Sequence, residues 1–342
     1  MTPSVLLIYT GGTIGMKTDP ATGALFPFDF KNIYEEFPYI HKLNVEIETI
    51  RLGPIDSANV TPELWVRLAE LIRDEYDRYD GFVILHGTDT MSYTASALSF
   101  MLENLAKPVV FTGSQLPIGV LRTDGRANLI TAIEIAAARD SLGNAMAPEV
   151  GLYFHNRLYR ANRSSKYSAE GLDAFRSDTY PPLAEVGVSI HYNTQYILCP
   201  SDRGPLRIRT KLVNNIMVVR MFPGLSEEIF RSITGLKGLR GIVLETYGAG
   251  NAPTSLWFLK ALRETIARGV PVVNVTQCDN GSVAMERYET GLGMLQAGVI
   301  SGRDSTTEAA VTKMMYLLGF GFSSRAELNK QLKLSIRGEI TV

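Results

Sequence analysis

The chain has 342 residues, which at about 150 residues per domain points to two domains. An apolar share of 45% and a charged share of 20% form an ordinary globular profile and exclude a disordered chain. With 34 Lys and Arg against 35 Asp and Glu, the net charge is −1, so no bulk attraction draws the chain to nucleic acid or an anionic membrane.

Met1-Thr2-Pro3-Ser4 runs straight into an apolar stretch at residues 5–9, without the basic start and small-residue cleavage site of a signal peptide. No apolar run approaches the ~20 residues that span a bilayer. The two cysteines, Cys199 and Cys278, are too few for a disulfide framework and fit a reducing compartment, so a cytoplasmic protein is expected.

Residues 5–9 read as a buried strand, followed by a Gly-rich turn at residues 10–15. Residues 17–29 are polar and broken by Pro20, Gly23 and Pro27, which predicts a mobile loop. Thr61-Pro62-Glu63 predicts a helix start, with a Thr cap before a first-turn proline. Leu64, Leu68, Leu71 and Ile72 then keep helical spacing up to the turn at Asp80-Gly81. Strands are expected at 82–85, 109–112 and 150–154, with helices at 94–105 and 126–139 between them. Short apolar runs alternating with helices indicate parallel strands covered on both faces. Residues 196–211 lapse into Pro, Gly, Asp and Arg, as a linker would. A second alternation follows: strands at 217–221, 241–246 and 270–275, and helices at 255–268 and 306–318 stopped by Gly269 and Gly319. The fold class is therefore α/β, with two open, mostly parallel-sheet domains at 1–195 and 213–342 joined by a linker at 196–212.

Ligands of open parallel sheets bind at the carboxyl ends of the strands, so the residues just after each strand matter most. Those segments are Thr10-Gly11-Gly12-Thr13, His86-Gly87-Thr88-Asp89-Thr90, Thr112-Gly113-Ser114-Gln115, Tyr247-Gly248-Ala249-Gly250-Asn251 and Thr276-Gln277-Cys278. They are rich in hydroxyls and glycine, with Asp89 the single obvious carboxylate. Glycines beside Thr13 and Thr88 let backbone N–H groups approach a small ligand, although either segment alone also reads as a tight strand-to-helix turn. No Gly-Lys pair exists, so a phosphate-cradling P-loop is excluded; neither Gly11–Gly15 nor Gly291-Leu292-Gly293 meets the dinucleotide fingerprint. His41, His86, His155 and His191 show no metal-ligand spacing, and Cys278 has no zinc or redox partner, so no metal and no cofactor is expected. His86 reads as a residue facing the backbone beside Thr88.

Hydroxyl chemistry without histidine remains. A threonine is a weak nucleophile and must hand its proton to a base. A lysine serves if burial or nearby dipoles bring its pKa down from about 10.4, and a neighbouring carboxylate would orient it while opposing that fall. Lys166 is the candidate, in the run Arg160-Ala161-Asn162-Arg163-Ser164-Ser165-Lys166, which by itself reads as a solvated loop.

Residues 9–15 (YTGGTIG) and 85–90 (LHGTDT) resemble the two signature motifs of the bacterial-type L-asparaginases, in order, spacing and position. Residues 162–166 (NRSSK) and 171–175 (GLDAF) are similar to the lysine-bearing segment of the cytoplasmic, type I branch. The likeness continues through Asn251-Ala252-Pro253 and Thr276-Gln277-Cys278 to Arg337-Gly338-Glu339. The resemblance implies hydrolysis of L-asparagine to L-aspartate and ammonia, with Thr13 forming an acyl-enzyme that water cleaves. It implies that Thr88, Asp89 and Lys166 form a second catalytic group, in which Lys166 accepts a proton and Asp89 orients it. It also implies that Gly12 and Asp56-Ser57-Ala58 bind substrate, with Ser57 donating to the α-carboxylate, while Asp89 pairs with the α-ammonium. Asn251 matches a residue that completes the site from a neighbouring subunit, so the expected state is a homo-oligomer, a dimer or a homotetramer built from dimers.

Two departures from the family pattern stand out. Members commonly carry a tyrosine on the loop after the first motif, whereas this chain reads Gly23-Ala24-Leu25-Phe26-Pro27; Thr13 is then activated by another group or by water. Some type I enzymes bind asparagine at an allosteric site through an arginine before Tyr247, together with the Thr-Gln-Cys segment. Thr276 and Cys278 are present, but the arginine position is Glu245, so weak or absent allostery is expected. Two other readings compete: an ammonia-donor subunit of a tRNA amidotransferase, whose members carry an additional amino-terminal domain, and a non-catalytic amino-acid-binding protein. Pure binding would not require Thr13, Thr88, Asp89 and Lys166 together.

Overall fold

The computed structural model describes residues 2–18, 25–27, 38–198 and 204–342. The chain divides into two units, Met1–Arg209 and Thr210–Val342.

In the first unit, β1 (Ser4–Tyr9) is buried from Val5 onward, as an aliphatic run covered on both faces should be. Beside it lies β2 (Glu46–Arg51), a half-exposed edge strand that the apolar pattern did not announce. Then come α1 (Pro62–Asp74), β3 (Gly81–Leu85), α2 (Met91–Met101), β4 (Val109–Thr112), α3 (Gly125–Ala137) and β5 (Val150–Phe154). On α1, Leu64, Leu68 and Ile72 recur every fourth residue and bury one stripe. Three short strands, β6 (Arg157–Arg160), β7 (Ala184–Val186) and β8 (Ile190–Tyr192), extend the sheet antiparallel. The β5–β6 turn is His155-Asn156, both at positive φ.

The sheet order is β8-β7-β6-β5-β4-β3-β1-β2. From β1 the chain moves outward to β2, then returns to the other side for β3 and the remaining strands. The order therefore reverses between β1 and β3, and ligands of open parallel sheets bind at the carboxyl ends of strands where the order reverses. Those ends carry the two signature turns.

The second unit contains β9 (Ile216–Arg220), α4 (Glu227–Thr234), β10 (Gly241–Thr246), α5 (Leu256–Ala267), β11 (Val272–Thr276), α6 (Glu289–Ala297), β12 (Ile300–Ser301), α7 (Thr307–Gly319) and α8 (Arg325–Lys333). Its four strands are parallel, in the order β9-β10-β11-β12. Phe230, Ile242, Leu244, Phe258 and Leu262 fill the core, with the Phe230 and Phe258 rings 4.9 Å apart.

Several expectations need correction. The helix predicted at 94–105 runs Met91–Met101, and Leu102–Glu103 instead pair antiparallel with Arg207–Ile208. The stretch read as a linker thus contains a paired strand, and the boundary between units falls after Arg209. Thr61 occupies the cap position but its hydroxyl bonds the Glu63 side chain, not a backbone N–H. Gly319 does not stop a helix; it is the last residue of α7, and a Cβ there would lie 1.8 Å from the Lys211 carbonyl oxygen. Of the loop predicted at 17–29, Met16–Thr18 pairs with Leu25–Pro27, and residues 19–24, 28 and 29 lie outside the described residues.

Candidate active site

The backbone N–H and the hydroxyl of Thr10 both donate to the Leu85 carbonyl, at 3.0 and 2.9 Å. This ties β1 to β3 where the two chains leave the sheet. Ile55 N–H donates to the Thr10 carbonyl at 2.8 Å, drawing the segment after β2 to the same place. Gly11 and Gly12 adopt φ of 128° and 87°, values that disfavour a side chain. A Cβ on Gly12 would lie 2.5 Å from Gly87 Cα, and one on Gly87 would lie 2.6 Å from Ser57 Oγ. Three segments remote in sequence therefore meet backbone to backbone.

Thr13 opens a single turn, Thr13–Gly15, and its exposed hydroxyl has no hydrogen-bond partner among the described residues. Ser57 is 5% exposed, and its hydroxyl likewise has none, while its carbonyl accepts from Thr90 Oγ1 at 2.7 Å. The Asp56 carboxylate turns into its own loop and accepts from Ala58 N–H at 2.9 Å. Gly12, Thr13, Ser57 and Thr88 thus lie on three turns that meet beyond β1 and β3.

Lys166 reaches these turns from 78 residues beyond Thr88. Its Nζ lies 2.8 Å from Thr88 Oγ1 and 2.6 Å from Asp89 Oδ1. The lysine sits on a two-residue strand, Ser165–Lys166, paired with Phe175–Arg176. Its side chain is largely covered, whereas that of Asp89 is 61% exposed, so the carboxylate can orient the ammonium and still face solvent or ligand. The preceding run is not a solvated loop: Arg160, Asn162, Arg163 and Ser164 are buried. Arg160 is neutralised by Glu149 at 2.6 Å, and both arginines lie over the Tyr180 ring. A charged run can be buried when it carries its own partners.

Two residues that the sequence left without a catalytic role complete the surroundings. His86 Nδ1 lies 2.8 Å from the Gly87 carbonyl, and a carbonyl only accepts, so Nδ1 carries the proton. Its Nε2 then accepts from the Thr94 hydroxyl at 3.0 Å, while Thr94 accepts from Trp65 Nε1. Burial pushes the His86 pKa down to about 4, against the pull of the Gly87 carbonyl. As the pH falls, the unfolded chain takes up this proton first. The stability contributed is complete above about 6.5 and is lost as the pH falls toward 4. The chain should therefore lose about 2 kcal/mol between pH 7 and pH 5 at this residue. Denaturant melts of the parent and of His86→Gln at both pH values check this; an equal pH-dependent loss in the two would refute it.

Gln115 follows β4. Its Nε2 donates to the Gly171 carbonyl at 3.1 Å, and its Oε1 faces the Thr88 hydroxyl at 3.4 Å. The third post-strand segment, with a polar amide just past a buried strand, was the available signal.

The remaining expected residues belong to the second unit. Asn251 Oδ1 accepts from Thr290 Oγ1 at 2.7 Å. Glu245 is the penultimate residue of β10, paired with Arg220 on β9 at 3.2 Å and accepting from Thr307 Oγ1 at 2.6 Å. The Thr276 hydroxyl donates to the Gly248 carbonyl and accepts from Cys278 N–H. Among the described residues no cluster of His, Cys, Asp and Glu could hold a metal, and no helix is long and apolar enough to cross a membrane.

Residues 4–198 match the family model "Asparaginase, N-terminal", and residues 215–331 match "Glutaminase/Asparaginase C-terminal domain". L-asparaginase 1 of Escherichia coli K12 is 44% identical over 99% of this chain and 98% of its own length. The crystal structure of L-asparaginase I from Vibrio cholerae shares 40% identity with a TM-score of 0.89, covering 100% of both chains. A glutamyl-tRNA(Gln) amidotransferase subunit of Pyrococcus abyssi is 32% identical over 99% of this chain but only 77% of its own length. Both halves of the chain match the family models and full-length relatives cover it: the chain belongs to the asparaginase family.

Proposed function

We propose that this protein hydrolyses L-asparagine to L-aspartate and ammonia through a threonine acyl-enzyme. The observation that carries the reading is the contact of Lys166 Nζ with both Thr88 and Asp89, beside the turn that bears Thr13. The relatives named L-asparaginase support the substrate. Thr13 Oγ attacks the side-chain amide carbon, and the C–N bond breaks as ammonia leaves with the proton that Thr13 gave up. Water then attacks the ester, passing a proton to the Thr88–Lys166 pair, and the C–O bond to Thr13 breaks as that proton is returned to Thr13 Oγ and aspartate is released. Backbone N–H groups near Thr88 stabilise the oxyanion, each worth ~3–4 kcal/mol in comparable sites. Ser57 binds the α-carboxylate together with the turn at Asp56 and Ala58. Asp89 pairs with the α-ammonium. Asn251 acts from a second copy in a homo-oligomer, and the sparse cysteines favour a cytoplasmic setting.

A coupled ammonia assay with asparagine and glutamine tests the reading, run on the parent and on Thr13→Ala. The parent should release ammonia, and Thr13→Ala should release none while melting at the parent's temperature. Activity retained by Thr13→Ala removes it as the nucleophile. Aspartate binding by calorimetry without ammonia release from the parent would favour a binding protein instead. The preference between asparagine and glutamine turns on one methylene, worth only ~1–3 kcal/mol in a pocket.

A further inference from the structure

Gln115 is held more firmly than a loop residue needs to be. The Asp124 carboxylate accepts from Gln115 N–H at 3.0 Å and from Leu116 N–H at 3.1 Å. Asn128 Nδ2 donates to the Gly113 carbonyl on one side, and Ser114 Oγ donates to the Leu116 carbonyl across the turn. The side chain thus leaves a clamped backbone. Its amide orientation follows from chemistry: the NH₂ must face the Gly171 carbonyl, so the oxygen faces Thr88.

The Thr88 hydroxyl therefore has two neighbours with different requirements. When Lys166 is charged, its ammonium only donates, so the Thr88 oxygen accepts and the hydroxyl proton must point elsewhere. Gln115 Oε1, at 3.4 Å, is the acceptor it faces. When Lys166 is neutral, its lone pair accepts, and the hydroxyl can swing to donate to Nζ. At 3.4 Å the bond to Gln115 is longer than the ordinary 2.7–2.8 Å O–H···O contact, which makes the proton easy to release.

We propose that Gln115 is a positioning residue that parks the Thr88 hydroxyl proton away from Lys166, and so sets the pH at which the Thr88–Lys166 pair can begin to accept protons. The proposal rests on the reading of Thr88 and Lys166 as a proton-moving pair in asparagine hydrolysis. Asp89 is the charged group in contact with Lys166 Nζ. On the adjoining ribbon Tyr167 donates to Asp173, and the Arg176 guanidinium lies 4.6 Å from the Tyr167 ring centre, so those groups engage one another. Asp124 is occupied by backbone N–H groups.

Two substitutions separate this role from a structural one because they move the pH profile in opposite directions. Gln115→Met removes the acceptor, so the charged form of Lys166 loses support. The acid limb of kcat/KM for asparagine should move to lower pH by about half a unit to one unit, the size expected for one modest hydrogen bond. Gln115→Glu leaves a carboxylate one hydroxyl away from the ammonium and should move the limb to higher pH by a similar amount. Thermal melts establish that each variant is folded, and where only one folds, the direction of its shift alone decides. Lower activity at every pH with no displacement of the limb, or displacement of both variants in the same direction, overturns the proposal. A parent without asparagine activity, or a Lys166→Met variant that keeps it, overturns the underlying reading and the proposal with it.

Discussion

Lys166→Met should lower kcat/KM for asparagine by about a thousandfold and leave the folded structure intact. A positioned acid or base typically contributes 10²–10⁴-fold, and Lys166 Nζ, the base of the proposed mechanism, lies 2.8 Å from the Thr88 hydroxyl. Methionine keeps the length of the stem but holds no proton. The stability cost should be small: the partner left behind, Asp89, is 61% exposed and can be hydrated. The split between activity and stability identifies the role. A variant that melts normally and turns over slowly marks a catalytic group, whereas equal losses of both would mark a structural ion pair. Ammonia release and calorimetry on the same sample check this, and less than a tenfold fall in kcat/KM would remove Lys166 from the chemistry.

Lys313→Met should cost about 3–5 kcal/mol of stability, the largest structural effect expected in the chain. Lys313 on α7 is 4% exposed and Glu339 is fully buried, with Nζ 2.6 Å from Oε1. The same ammonium donates to the carbonyls of Leu332 and Leu334 at the end of α8. The Glu339 carboxylate also accepts from Ile336 and Arg337 N–H, which folds residues 336–339 around it. Burial pushes the Lys313 pKa below the ordinary lysine range while Glu339 pulls it back, as expected of a charge that its partner keeps inside. Removing the lysine leaves a carboxylate buried without a counter-charge. The double variant Lys313→Met with Glu339→Gln removes that carboxylate charge, so it should recover part of the loss. Denaturant melts of the three variants decide it: a single variant within 1 kcal/mol of the parent, or no recovery in the double, would show that the pair contributes little.

What the sequence disclosed followed burial. The strands at Val109–Thr112, Val150–Phe154 and Gly241–Thr246 fall where the apolar runs predicted them, because strands covered on both faces need unbroken apolar side chains. Strand β2 and the antiparallel strands β6 to β8 were not legible. They are short, partly exposed and carry charged residues such as Glu46, Arg157 and Glu185, and the His155-Asn156 turn lacks a glycine signal. The start of α2 was placed late because its first turn contains Ser92 and Thr94, both buried, which a pattern of apolar spacing does not mark as core. At the site, Thr13, Thr88, Asp89 and Lys166 were candidates from the residues alone, and the motif resemblance gave each its role. The residues alone pointed to threonine chemistry but read the approach to Lys166 as solvated. The partners that bury Arg160 and Arg163 are Glu149 and Tyr180, residues distant or unmarked in sequence. Gln115 stayed unassigned for a related reason: its meaning lies in facing Thr88, 27 residues away.

The bare approach of Gly12 to Gly87 has a consequence for how this protein can diverge. Spacing between the Thr13 loop and the Thr88 loop is gauged by main-chain atoms in van der Waals touch, with no side chain acting as a shim. Substitutions in the surrounding core can shift rotamers without altering that gauge, whereas a single methyl group on Gly12 would pry the two loops apart and one on Gly87 would drive into Ser57. Natural drift can thus rework the pocket wall and its choice of substrate long before it can loosen the chemistry.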